Sequence, residues 1–231
     1  MITSIEKREV SLLENIFIKT GKVLAVRTWD TGDFYEVDLH LPKAKPAHWN
    51  TVQRIICRTA SFHYCDYTPA QWDCSTKTCT LFIDGGHNGR GCRWVRSLQP
   101  DDALHYASID AVKQAPAQDT YPIFLGDQSA IGHFSALQQL SPNGNAATGI
   151  MVVNKPEHKE EFVDKCRWLQ LTPVSRDENY FDYLSAMLQQ LPPKNYTFFL
   201  AGNSYLVANT RKFLREKGFQ NGQIKAQGFW H

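Results

Sequence analysis

Three short segments of this chain combine aromatic, hydroxyl and glycine residues in a way that suits a large planar ligand with a phosphate tail. The first is Asp66-Tyr67-Thr68-Pro69-Ala70. Tyr67 offers a flat wall, Thr68 and the nearby backbone amides offer donors for a polar ring edge, and Pro69 stiffens the turn that follows. A flavin ring asks for that combination. An ordinary strand end also accounts for it.

The second is Gly85-Gly86-His87-Asn88-Gly89-Arg90-Gly91-Cys92-Arg93-Trp94, with four glycines and two arginines in ten residues just before a helical turn. Glycines let backbone amides come close to a phosphate, and arginines neutralise it. The alternative is a long hairpin loop with solvated arginines. The third is Gly126-Asp127-Gln128-Ser129-Ala130-Ile131-Gly132, where an apolar strand turns into a helix. A glycine at the carboxyl end of a first parallel strand leaves room for a nucleotide in the crevice. A plain strand-to-helix turn capped by Asp127 or Ser129 fits as well. Gly202-Asn203-Ser204 repeats that logic further on. Ser175-Arg176 follows another strand, and its arginine suits a ribose 2′-phosphate or is a solvated loop charge.

The elements that must position these segments change character along the chain. Residues 5–16 read as a short amphipathic helix, with Val10, Leu13 and Ile16 at helical spacing. Short strands follow at Val23–Thr28, Tyr35–Leu41, Arg54–Cys57, Ser61–Tyr64, Cys79–Ile83 and Leu104–Ile109. In the second of these Tyr35, Val37, Leu39 and Leu41 alternate with polar residues, the period of a half-buried strand. Strands of this kind, separated by turns, make a small antiparallel barrel.

A break near Ala115-Pro116-Ala117-Gln118-Asp119 reads as a linker. Strands then alternate with helices. The strands are Tyr121–Leu125, Gly149–Val153, Trp168–Val174, Thr197–Ala201 and Ile224–Trp230. The helices are Ser129–Leu140, Glu157–Cys166, Tyr180–Leu191 and Leu206–Lys217. This order implies a doubly wound parallel sheet with helices on both faces. The predicted organisation is a helix over 1–19, a β-barrel domain over 20–115 and an α/β domain over 120–231.

Composition narrows the function further. A chain of 231 residues suits two modest lobes. A net charge of +2 with both signs dispersed gives no nucleic-acid footprint. No apolar run reaches the roughly 20 residues of a membrane span. Met1 to Arg8 is polar and lacks the apolar core of a secretory signal, so a cytoplasmic address is expected. Cys57, Cys65, Cys74, Cys79, Cys92 and Cys166 show no C-x-x-C spacing; free thiols are expected, with a cluster from the first four as the alternative. His87, His105 and His133 form no metal pattern, and His133 reads as a packing or surface residue.

In this order the segments resemble the siderophore-interacting protein family of flavin-dependent ferric reductases, within the ferredoxin-reductase-like superfamily. That family runs R-x-Y-T-P, H-G-x-x-G-P with a later Trp, P-G-D, G-D-E-T-A and a final G-Y-W. The counterparts here are Asp66 to Pro69, the glycine loop ending in Trp94, Gln99 to Asp102, Gly126 to Ala130, and Gly228-Phe229-Trp230. The resemblance implies that Tyr67 and Thr68 contact a flavin ring and its ribityl chain. It puts the flavin phosphate at the backbone from Gly89 through Gly91 and Cys92 to Arg93. It lines the nicotinamide nucleotide site with Gly126, Asp127 and Gly202, beside Ser129 and Asn203, and sets Phe229 and Trp230 near the ring face. The implied cofactors are FAD with NADPH or NADH, and the implied partner is a ferric siderophore. No side chain is needed as acid or base. A flavin module serving a protein partner and a non-catalytic binding protein are the rival readings. The chain departs from the family at Cys65, where the arginine of R-x-Y-T-P belongs, and Arg58, Arg90 and Arg93 are the candidates to replace it. Gly85, Arg90, Asp101, Gln128 and Ser129 are further departures.

Overall fold

The structure is a computed structural model that describes residues 18–45, 49–116, 120–141 and 147–230. The helix expected over 5–16 lies outside the described residues. The first lobe contains β1 (Lys19–Thr28), β2 (Phe34–His40), β3 (Gln53–Ala60), β4 (His63–Tyr67), β5 (Pro69–Asp73), β6 (Thr78–Asp84), α1 (Arg90–Arg96) and β7 (Ala103–Ala111). Its seven strands form one antiparallel sheet in the order β4-β3-β7-β1-β2-β6-β5.

That order has a consequence for residues 67–69. β4 and β5 are the two ends of the sheet, yet only Thr68 separates them in the chain. The sheet must therefore curl until its ends meet, and Thr68 sits where the barrel closes. Alternation fills the interior: Tyr35, Val37, Leu39 and Leu41 are all buried, together with Ile55, Leu81 and Tyr106. These apolar side chains remove their surface from water on the inner face of the pleat, while Glu36, Asp38 and His40 point outward.

The second lobe contains β8 (Tyr121–Asp127), α2 (Ile131–Leu140), β9 (Thr148–Val153), α3 (His158–Lys165), β10 (Thr172–Ser175), α4 (Tyr180–Gln190), β11 (Tyr196–Asn203), α5 (Ser204–Glu216) and β12 (Ile224–Trp230). Its five strands are all parallel, in the order β10-β9-β8-β11-β12. The central strands β8 and β11 are apolar runs buried almost throughout, as strands covered on both faces must be. The strand order reverses between β8 and β11, and the crevice at their carboxyl ends carries Asp127 and Asn203.

Four local expectations change. The strand predicted at Ser61–Tyr64 is β4, two residues later, because Phe62 takes a left-handed turn with φ of 54°. Pro69 does not stiffen a turn; it opens β5, a strand absent from the reading, at a sheet end where a missing N–H costs nothing. Only Thr172–Ser175 of the stretch Trp168–Val174 and its neighbour is strand. The helix from Ser129 begins as a 3-10 turn over Gln128–Ala130.

The two lobes pack through α2, β5 and a polar cluster. Gln139 on α2 bonds the backbone of Trp72 twice, Trp72 N–H to Oε1 at 3.0 Å and Nε2 to the Trp72 carbonyl at 2.8 Å. Residues Ile131 to Leu137 are all buried, because this helix has the parallel sheet on one side and the barrel on the other. His158, fully buried on α3, reaches Gln128 Oε1 at 2.8 Å and, across the lobes, Asp33 Oδ1 at 3.0 Å.

Candidate functional site

A cleft of about 630 Å³ opens between the lobes, and its walls come from the segments singled out in the sequence. On the barrel side stand Tyr67 and Thr68 at the closure point, with Gly89, Gly91 and Cys92 at the start of α1. On the other side stand Ser129, Phe229 and Trp230. Cavities of roughly 300–1,000 Å³ are the size that holds ligands.

Tyr67 has its ring stacked on Trp94, centroids 5.5 Å apart and planes 20° from parallel. Trp94 is buried and does not border the cleft, so it backs Tyr67 and offers no contact surface of its own. The phenol sits beside Gly91: a Cβ there would lie 2.5 Å from the Tyr67 hydroxyl oxygen. Only glycine lets α1 start this close to the ring. Burial first, then the nearby Cys65 and Cys57 thiols, raise the Tyr67 phenol far above its ordinary range, so it stays a neutral donor.

The glycine loop is tied down by His87 and Arg96, which were not expected at the site, and by Cys92 and Arg93, which were. Gly89 N–H donates to His87 Nδ1 at 3.2 Å, and Cys92 Sγ lies 3.3 Å from the same ring. Arg96 reaches back to the Gly85 carbonyl. Arg93 donates to the Asn88 carbonyl at 2.8 Å and does not border the cleft. Pro69 is likewise buried and off the cleft, paired with Leu81 in the sheet. Of the residues expected at a flavin, Pro69, Arg93 and Trp94 thus support the wall from behind.

A second cavity of about 380 Å³ lies over the carboxyl ends of β8, β10 and β11, lined among others by Asp127, Ser175, Arg176, Glu178 and Asn203. Asp127 Oδ2 accepts the Asn203 N–H at 2.7 Å, and Oδ1 accepts the Ser129 N–H at 3.0 Å. Burial raises the Asp127 carboxyl and these donors pull it back, leaving it above the usual range. Asn203 Oδ1 caps α5 by accepting from Tyr205 and Leu206 N–H, each at 3.1 Å. Gly202 has φ of +116°, and a Cβ there would strike the Asp127 carboxylate at 2.6 Å. Gly126 pairs with Ala201 across the sheet and borders neither cavity; its role is to let β8 and β11 approach.

Glu178 is the residue here that sequence reasoning missed. It accepts from Ser175 N–H at 2.7 Å, Lys159 Nζ at 2.8 Å and the Tyr183 hydroxyl at 2.7 Å. Those donors, Lys159 foremost, hold it down to about 2. Its position three residues after Ser175 was the available signal. Trp230 borders both cavities and separates them. Its ring stacks on His87 at 6.0 Å, and Arg176 Cζ lies 5.9 Å from its centroid. Among the described residues no group of three or more His, Cys, Asp or Glu side chains converges as for a metal ion. Among the described residues no helix is long and apolar enough to cross a membrane.

Residues 119–231 match the model of the siderophore-interacting protein family. The whole fold is shared with solved siderophore-interacting structures. One from Acinetobacter baumannii has a TM-score of 0.72 at 11% identity, covering 92% of this chain and 90% of that one. A siderophore utilization protein from T. fusca has a TM-score of 0.70 at 20% identity, covering 93% and 92%. The ferredoxin reductase in carbazole 1,9a-dioxygenase, with a TM-score of 0.72 at 16% identity, covers 92% of this chain and 69% of its own. No curated protein matches the sequence. The fold is the one these solved structures share, and the family-model match falls on the second lobe.

Proposed function

We propose that this chain, with a siderophore-interacting-protein domain over residues 119–231, is a flavin-dependent NAD(P)H oxidoreductase that reduces ferric siderophores. The observation that carries the reading is the cleft itself: Tyr67 backed by Trp94 on one side, Phe229 and Trp230 on the other. A slot walled by aromatic rings in this way, with polar groups along its rim, fits a tricyclic ring with a polar edge. The closely approached Gly91 and the cleft-facing Arg90 fit its phosphate-bearing tail. FAD is the cofactor assigned to it.

When bound, FAD would accept a hydride from a reduced nicotinamide and pass electrons singly to a ferric chelate. The chain's own residues bind and orient. Tyr67 holds one ring face and stays protonated, so it donates a hydrogen bond and carries no charge towards the ring. Thr68, at the barrel closure, offers its hydroxyl and backbone. Asp127 and Asn203 fix the crevice loops by their mutual bond, so that the second cavity is preformed for a nicotinamide nucleotide. Arg176 on that cavity suits the 2′-phosphate of NADPH. Phe229 and Trp230 keep water from the ring face that meets the nicotinamide. The ferric siderophore is substrate, and ferrous iron leaves because it binds hard oxygen ligands less tightly.

The deciding experiment is an absorption spectrum of the purified protein with cofactor extraction, followed by NADPH oxidation with a ferric chelate and a ferrous trap. Flavin absorbance and chelate-dependent ferrous production are expected. A colourless protein that ignores added FAD overturns the reading. Flavin without ferric-chelate turnover, but with reduction of a ferredoxin-type acceptor, replaces the substrate.

A further inference from the structure

We infer that Arg90 is the cation that holds the phosphate end of the cleft's ligand and makes the cleft select phosphate-bearing flavins over riboflavin. The inference rests on the flavin reading above. A flavin phosphate brought into the cleft is held best by a positive side chain at its rim, and Arg90 is an exposed side chain there. Guanidinium groups serve best, because their N–H groups meet phosphate oxygens in parallel pairs.

Among the described residues five arginines lie around this end of the barrel, and four are committed elsewhere. Arg54 borders the cleft but stands between two carboxylates, Asp66 at 3.1 Å and Asp110 at 3.8 Å, which cancel its charge. Arg58 is buried, donates from Nε to the Ala60 carbonyl at 3.3 Å, and does not border the cleft. Arg93 is turned to Asn88, and Arg96 to Gly85. Arg90 borders the cleft and makes no hydrogen bond or ion pair with any other described residue. The remaining cleft carboxylate, Asp84, is engaged by Gly86 N–H at 2.9 Å and Asn154 Nδ2 at 2.7 Å.

The position also matters. A Cβ on Gly91 would stand 3.4 Å from Cys65 Sγ, so the start of α1 and position 65 are neighbours across the cleft wall. Cys65 brings no positive charge to that end. Arg90, one residue before Gly91, brings one from the helix side instead of the strand side.

Equilibrium binding of FAD, FMN and riboflavin, read by ring fluorescence, tests this. Arg90→Ala should weaken FAD and FMN roughly 10- to 100-fold and leave riboflavin within about twofold, the scale of a lost charge-assisted hydrogen bond. Unchanged riboflavin binding also reports an intact fold. Arg93→Ala should leave all three unchanged, and adding Cys65→Arg to Arg90→Ala should recover FAD affinity. FAD affinity unmoved by Arg90→Ala, or an equal loss for riboflavin, overturns the assignment. A wild-type protein that binds riboflavin as tightly as FAD overturns this inference alone. One that binds no flavin overturns the flavin reading with it.

Discussion

The indole Nε1 of Trp230 donates to the hydroxyl of Ser129 at 3.1 Å, and that hydroxyl in turn donates to Asp127. One hydrogen-bond chain therefore runs from the penultimate residue to the crevice of the parallel sheet. It holds the indole as a partition between the interlobe cleft and the cavity over the parallel sheet. On the proposed function a nicotinamide must meet the flavin ring across that partition, so the indole has to move.

Trp230→Ala removes the partition and joins the two cavities. A nicotinamide nucleotide then no longer has to break the Ser129 bond or the stacking on His87, each worth about 0.5–1.5 kcal/mol. Affinity for the oxidised nucleotide should rise roughly tenfold, measured by titration. Trp230→Phe keeps an aromatic wall and loses only the hydrogen bond, so its gain should be smaller. Unchanged affinity in both variants would show that the indole does not stand in the way.

On the proposed function, opposing charges in one cavity set the nucleotide preference. Arg176 is exposed there and free of a carboxylate partner among the described residues, whereas Glu178 stays ionised down to about 2. Arg176→Ala should raise KM for NADPH about fivefold, discounted for its exposure, and leave NADH nearly unchanged. Glu178→Gln should act in the opposite sense and raise the preference for NADPH. Equal effects of Arg176→Ala on both nucleotides would remove the arginine from phosphate recognition.

Much of this site was legible in the sequence because its positions depend on local chemistry. Tyr67-Thr68, the glycine loop, Asp127-Gln128-Ser129 and Asn203 all sit at strand ends or turns, where composition signals survive. What could not be read was pairing at a distance. β5 was missed because Pro69 and the short stretch to Asp73 look like a loop until they are known to be a sheet end. Trp94 was expected at the ligand, but the strand geometry puts Tyr67 in front of it. Arg93 and Arg90 are indistinguishable by spacing; only the Asn88 carbonyl that captures Arg93 separates them. Asp33, Lys155 and His158 carried no signal at all, since they meet across lobes distant in sequence.

That interlobe cluster makes a stability prediction. Asp33 Oδ1 accepts from the buried His158 ring at 3.0 Å and from the Thr31 hydroxyl at 2.8 Å, while Oδ2 pairs with Lys155. Burial raises the Asp33 carboxyl, but Lys155, Thr31 and His158 outweigh it and the net shift is downward. A depressed carboxyl stabilises the fold above its unfolded value of about 3.9, and that contribution is lost as pH falls through the folded value. Asp33→Ala should cost about 1–3 kcal/mol, lowering Tm by several degrees at neutral pH. The loss should shrink as pH falls below about 4. A Tm equal to wild type at pH 7 would mean that this cluster adds nothing to the joint between the lobes.

His133 gives a second pH signature with its own window. The ring is buried on α2, its Nε2 is 2.6 Å from Gln114 Oε1, its Nδ1 meets no partner among the described residues, and Phe229 lies edge-on at 5.6 Å. Burial pushes it down to about 3, so it is neutral in the folded protein at any physiological pH. The unfolded chain takes up a proton there below about 6.5, and the folded chain does not. Stability from this site is therefore complete above about 6.5 and falls by roughly 1.4 kcal/mol per pH unit as pH drops towards the folded value. His133→Gln keeps a donor for Gln114 and removes the titration, so its stability should decline less steeply between about pH 6 and 4 in denaturant melts. Parallel curves for the two proteins would require a folded His133 that titrates as freely as an exposed one.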